Sequence, residues 1–401
     1  MKLTSFLGSS FLIAVTYIDP GNYSTDIAGG VAFQYKLLFV ILLSSILSLG
    51  LQNLSAKLGI VTGNCLASNC RLFFPTWLSR GLWFFSEIAI VATDLTEVLG
   101  SAIALRLLFG IPVVFGVILT SLDTFFILLF FRESTVVYFE WLTGIFVVAV
   151  GICFTVLLGK SQPPAVPVLL GFLPSTMTTS EIVIGLGILG ATVMPHSLFL
   201  HSFLVLESDH KQTCTSSRVS ASFWATNLAL FFAFYINCSI LIVSGSSLFG
   251  SELPDLQSAY AVLGVNLGKV AASTFALALL LSGQTSSFIG TLAGQVVFEG
   301  FLKLRVSPAL RHMVTRAMAL IPAVAFTIAF GEAGISNLLI YSQIVLSALL
   351  PFAVIPLVVL TSKVSIMGEH VLPLSLKCLY GCICMLLVGI DLFLLYSAIH
   401  G

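Results

Sequence analysis

Asp19-Pro20-Gly21-Asn22 interrupts an apolar run that starts near Phe6 and resumes at Ile27. A proline removes a backbone donor and clashes with the preceding turn, and the glycine relaxes the chain. A helix crossing lipid unwinds at such a place, and its freed carbonyls need partners. Asp19 adds a carboxylate at the same depth, costly unless neutralised, paired or metal-bound. Asn22 brings an amide oxygen three residues on, so a cation in the break meets carboxylate, amide and backbone oxygens together. A second break follows at Gly190-Ala191-Thr192-Val193-Met194-Pro195-His196. It offers the Met194 thioether and the carbonyl of Ala191. Calcium and magnesium prefer oxygen alone, whereas sulfur favours softer transition metals. The mixed set therefore points to manganese, ferrous iron, cobalt, cadmium or zinc. Met194 in isolation is a packing residue; opposite the Asp19 break it reads as a ligand.

Other titratable residues lie in apolar surroundings. Ser86–Glu97 carries Glu87, Asp94 and Glu97. Asp94 and Glu97 are i,i+3 neighbours on one helical face, and Glu87 lies seven residues earlier. Asp123, His196 and His201 complete the set. Together they read as proton carriers, since histidine titrates near physiological pH and intramembrane ionisable groups face polar paths. Any one of them alone reads equally as a structural ion pair, and His201 and Asp123 stay open between the two roles. Gln343, in Tyr341-Ser342-Gln343, turns its amide either toward the cation or into an interhelical hydrogen bond. The stripe from Ser282 to Gly300 includes Gly283, Gly290 and Gly294, which allow helices to approach closely.

The elements that must hold these residues follow from composition. The chain of 401 residues is 58% hydrophobic and 8% charged, against about 25% charged in soluble domains. Lipid must cover much of such a surface, and the length accommodates roughly ten or eleven helices of about 20 residues. Apolar length and breakers place eleven spans at 5–33, 36–58, 80–106, 110–131, 137–159, 180–206, 220–246, 268–302, 315–330, 335–362 and 380–399. With a cytoplasmic N-terminus, all 17 basic residues except Lys36, Arg106, Lys160 and Lys269 fall inside, as the positive-inside rule requires; the C-terminus is then external. The breaks sit five spans apart, the placement expected of two inverted repeats, 1–160 and 175–365, with residues 378–401 as an added span. The scattered cysteines form neither a disulfide framework nor a zinc site, and the Asp19–Asn22 sequence is a poor cleavage context for a signal peptide. An enzyme is disfavoured, because no His-Glu-x-x-His or comparable cluster is present. A divalent cation channel and a differently coupled symporter of the same fold are the alternatives to a metal transporter. A channel leaves the paired breaks without a purpose.

The chain resembles the Nramp family, the natural resistance-associated macrophage proteins. The likeness runs over essentially the whole sequence. It rests on D-P-G-N at 19–22, S-A-K-L-G-I-V-T-G at 55–63, T-D-L-T-E-V-L-G at 93–100, G-A-T-V-M-P-H at 190–196, G-T-L-A-G-Q at 290–295 and S-Q-I-V-L-S-A-L-L-P-F-A at 342–353. The resemblance implies an all-α polytopic membrane protein of LeuT-like fold, two inverted five-helix repeats plus an eleventh helix. It also implies inward movement of Mn²⁺, Fe²⁺ and similar ions with protons, in a bacterial inner membrane. Asp19, Asn22 and Met194 match the family's metal-binding side chains, Ala191 its carbonyl ligand, and Gln343 a ligand in some conformations. His196, Glu97 and Asp94 match the proton route, Glu87 and Asp123 further acids of the polar network, and Arg311 and Arg316 the basic cluster at the start of span 9. The implied partners are the metal ion, protons and lipid, with no permanently bound cofactor, nucleic acid or obligate protein partner. Retention of Met194 argues against the family's magnesium-moving relatives. The chain departs from common family residues at Thr16 (alanine), Asp26 (asparagine), Ser208 (arginine) and Leu349 (glutamine). Thr16 either adds a ligand or caps a local turn; Asp26 and His201 are further candidates to tune the site.

Overall fold

The protein is represented by a computed structural model that describes residues 4–120, 136–207, 215–250, 256–304 and 307–400. Every regular element among them is helical, because a helix satisfies all its backbone groups within one segment of a lipid-embedded chain. The long elements are α1 (Thr4–Val15), α2 (Pro20–Phe33), α3 (Leu38–Thr62), α4 (Thr76–Phe109), α5 (Val136–Ser161), α6 (Thr179–Thr192), α7 (Pro195–Glu207), α8 (Thr215–Ser247), α9 (Lys269–Leu302), α10 (Pro308–Leu349), α11 (Pro351–Thr361) and α12 (Leu374–His400). Among the described residues, 8 helices are long and apolar enough to cross a membrane. The first expected span is divided between α1 and α2, each too short to cross alone.

Both breaks occur where the sequence places them. The last turn of α1 tightens, with Thr16, Tyr17 and Ile18 amides donating to the carbonyls of Ile13, Ala14 and Val15 at 2.9–3.1 Å. Asp19 is extended (φ −80°, ψ 167°) and caps α2, its side chain accepting the Asn22 N–H. Pro20 takes the first helical position, where a missing N–H costs nothing. At the second break Val193 leaves helical geometry (φ −109°, ψ 79°), and Pro195 opens α7. The Thr16 hydroxyl donates to the Ile13 carbonyl at 2.7 Å, so here it serves the local turn.

The broken helices lie at the centre of the bundle. Helices α1 and α2 pack on α8, α6 on α10, α7 on α3, and α4 runs along α9 and α10. Hydrophobic driving force is weak between helices in lipid, so close approach at small residues carries much of the packing. A Cβ on Gly100 would overlap the Pro20 ring, and one on Gly190 would overlap the Gln343 carbonyl and lie 2.7 Å from the Ser347 amide. In contrast, α12 is only 6% buried over its apolar window.

The spans expected at 315–330 and 335–362 are both apolar helix, at Met313–Ala325 and Gly334–Thr361, and one helical element, α10, runs through the boundary between them over 42 residues before Pro351. Between Pro322 and Pro351 the sequence holds no proline, so nothing there removes a backbone donor. Span 4 continues into residues outside those described, and Asp123 lies among them.

Gly190→Ala is expected to destabilise the fold by about 1–3 kcal/mol through overpacking. Thermal unfolding in detergent checks this; an unchanged midpoint would refute the close contact with α10.

Candidate metal centre

The site begins with the Asp19 cap. Asp19 is fully buried, and its Oδ1 accepts both the Asn22 backbone N–H at 2.9 Å and the Asn22 Nδ2 at 2.6 Å. The same Asn22 Nδ2 donates to the Ala191 carbonyl at 3.1 Å. One side chain thus ties the first break to the second across 169 positions of sequence. Gln343 closes the site from α10: its side chain lies against Gly21 so tightly that any Cβ there would overlap it. Met194 is buried between α6 and α7, and its carbonyl accepts the Ser197 hydroxyl at 2.8 Å.

Carbonyls freed by unwinding are met by side chains from neighbouring helices. Asn237 Nδ2 on α8 donates to the Tyr17 carbonyl at 2.9 Å and to Asn22 Oδ1 at 3.4 Å. From α9, Ser282 donates to the Ile18 carbonyl and Ser286 to that of Val15. The polar stripe of α9 is therefore a set of donors for the broken helix. Three buried acceptors around the break have no donor among the described residues: Asp19 Oδ2, Gln343 Oε1 and Asn237 Oδ1. Unsatisfied acceptors in a low-dielectric interior are costly, and a cation is the partner that answers several at once. Nowhere among the described residues do three or more His, Cys, Asp or Glu gather for a metal. The donor set here is instead carboxylate, amide, carbonyl and thioether.

A second polar group lies along α4. Asp94 and Arg316 are both buried and form an ion pair, Nη1 to Oδ1 at 3.2 Å. Arg316 also donates to the Asp94 carbonyl and to Ser287 Oγ. Glu97, one turn on, is buried against α9, where a Cβ on Gly290 would come within 3.2 Å of either carboxylate oxygen. Another turn on, Gly100 touches Pro20, so this group connects with the first break. Glu87, two turns before Asp94 on α4, is half-buried, with its Oε1 accepting the Trp83 indole N–H at 2.8 Å. The Arg311 side chain lies outside the described residues.

His196 is buried at the start of α7, and its Nδ1 has no partner among the described residues. His201 is held at both nitrogens, Nδ1 to Gln52 Oε1 at 2.9 Å and Nε2 to Thr226 Oγ1 at 3.4 Å. Gln52 also donates to the Tyr17 hydroxyl at 2.7 Å and to Ser197 Oγ at 2.8 Å. Gln52 and Asn237 were missed by sequence reasoning. Their signal is the one that drew attention to Gln343, an amide side chain within an apolar span.

The family model described as natural resistance-associated macrophage protein-like matches residues 10–397. The chain belongs to the Nramp family. It is 46% identical over 410 residues to the divalent metal cation transporter MntH of Nostoc sp., covering 100% of this chain and 92% of that protein. The structure is similar to that of the Eremococcus coleocola manganese transporter in complex with an aromatic bis-isothiourea substituted compound. The TM-score is 0.89 at 34% identity, over 98% of this chain and 86% of that one. Mhp1, a nucleobase-cation-symport-1 family transporter, shares the fold at 14% identity, with a TM-score of 0.63 over 88% and 77% of the two chains. This Nramp chain is thus an all-α, multi-pass membrane protein of LeuT-like fold, a transporter and not an enzyme.

Within the Nramp chain, Arg316→Ala leaves Asp94 buried without its cation, an expected loss of about 3–5 kcal/mol. Thermal unfolding should show a lowered midpoint that adding Asp94→Asn largely restores. An unchanged single-variant midpoint would show that the pair carries no stability.

Proposed function

We propose that this chain imports Mn²⁺, and with it Fe²⁺ and similar divalent transition metals, by proton-coupled alternating access. The donorless acceptors around the Asp19–Asn22 break support this most directly, since they suit a dication better than a dipolar substrate. The names of the Nostoc and Eremococcus relatives support the same substrate class. In this reading Asp19, Asn22, Met194 and the Ala191 carbonyl hold the ion, and Gln343 joins as the site closes. Asn22 Nδ2 lies between Asp19 Oδ1 and the Ala191 carbonyl. Rotation of its amide turns an oxygen toward the ion and withdraws the side-chain donor from both acceptors, while the backbone cap on Asp19 Oδ1 stays. Met194 favours ions soft enough to accept a thioether.

Release follows when protons reach the acids. His196 borders the metal residues, while Asp94 and Glu97 continue away from them along α4 beside Arg316. Glu87 and Asp123 extend this polar route, and Arg311 adds positive charge at the start of α10. The halves 1–160 and 175–365 act as inverted repeats around the central site, with residues 378–401 as an accessory span. The protein sits in a bacterial inner membrane with a cytoplasmic N-terminus and an external C-terminus. Its inside-negative potential favours every entering positive charge.

Reconstitution in liposomes tests the proposal. The parent should accumulate Mn²⁺ saturably and acidify the lumen as it does so, while Asp19→Ala at equal protein should lose at least about 90% of uptake, given its dominant charge at the site. Uptake without acidification excludes symport, and undiminished uptake by Asp19→Ala excludes the central site. In the same vesicles, Met194→Ala should weaken discrimination against Ca²⁺ more than it slows Mn²⁺. Unchanged selectivity would leave the thioether without a role.

A further inference from the structure

Asp26 is a buried carboxylate that the roles above leave without a task. It lies one turn beyond Asn22 on α2, on the same face at i and i+4, with Asp19 at the cap that precedes the helix. The rise from Asp19 to Asp26 is about 10 Å along the axis. Asn22 meets Asn237 on α8 at 3.4 Å. Two turns further, a Cβ on Gly30 would come within 2.7 Å of the Leu241 carbonyl. Asp26 lies between these contacts and is 1% exposed, and neither of its oxygens has a hydrogen-bond donor among the described residues. The two ion pairs resolved there, Lys36–Glu181 and Asp94–Arg316, do not involve it.

A carboxylate this deep is costly unless it is neutralised, paired or given a cation, and among the described residues no side chain supplies a cation. The metal residues have the complementary deficit: Asp19 offers one negative charge to a dication, and the other donors are neutral. We propose that Asp26 is the second counter-charge for the transported ion, drawing it along α2 and balancing the charge that Asp19 leaves over. The inference rests on the transport reading. It assigns Asp26 an electrostatic role at a distance, as a positioning residue for the ion, outside the set of direct ligands. Across about 10 Å of weakly screening interior, a dication and a carboxylate interact strongly enough to change affinity at least about tenfold.

Asp26→Asn keeps the side chain's size and removes its charge. In Mn²⁺ uptake by liposomes at matched protein, KM should rise at least about tenfold with little change in kcat, while Asp26→Glu stays near the parent KM. A residue that only supports packing would instead change the amount of folded protein or kcat. An Asp26→Asn KM equal to that of a working parent overturns the inference and leaves the transport reading intact. A parent without saturable Mn²⁺ uptake overturns both. Should Asp26→Asn fold poorly, Asp26→Glu decides: a KM near the parent supports the counter-charge, and a tenfold rise overturns it.

Discussion

Asp19 begins a helix inside the membrane by accepting the backbone N–H of Asn22 on the oxygen that also holds the Asn22 side chain. A helix start ordinarily leaves its first amides to water, which a lipid interior does not supply. The cap satisfies one such amide and fixes the Asn22 side chain within reach of Ala191 on the other broken helix. Because Asp19 has a second oxygen, the carboxylate serves the fold and remains available for chemistry. The rest of the centre depends on this division of labour.

Around the cap, neighbouring helices contribute donors to the unwound backbone but leave some acceptors unmatched. Ser282, Ser286 and Asn237 answer the carbonyls at the end of α1, whereas Asp19 Oδ2, Gln343 Oε1 and Asn237 Oδ1 have no donor among the described residues. Glycines permit this density of contact: Gly100 admits Pro20, and Gly190 admits the backbone of Gln343. The polar residues of α4 are arranged differently. Asp94 has its own cation in Arg316, and Glu97 one turn on brings a second buried carboxylate to the same group. At α2 the described residues offer Asp26 no cation at all, which suits a place that receives one from elsewhere.

Much of this was legible in residue types and spacing. Asp19-Pro20-Gly21-Asn22 and Met194-Pro195-His196 announced breaks because proline and glycine act locally, through a missing donor and a relaxed backbone. Apolar composition specified a helical membrane protein through the same local requirement for backbone hydrogen bonds. The pairing of Asp94 with Glu97 on one face followed from helical periodicity. Span boundaries depend on more: Gly331-Glu332-Ala333-Gly334-Ile335-Ser336-Asn337 reads as a turn between two apolar runs, yet helical backbone runs through it in α10.

What the sequence determined by itself was therefore the solvent, the helices and the places where they unwind, since each depends on neighbours within a few residues. Tertiary structure decided which groups answer each other. It paired Asp94 with Arg316, satisfied both nitrogens of His201, turned the Thr16 hydroxyl to its own helix, and set Glu87 against the Trp83 indole. It also left Asp26 buried with no donor among the described residues. Those outcomes depend on distances between segments far apart in the chain, and local propensity carries no information about them.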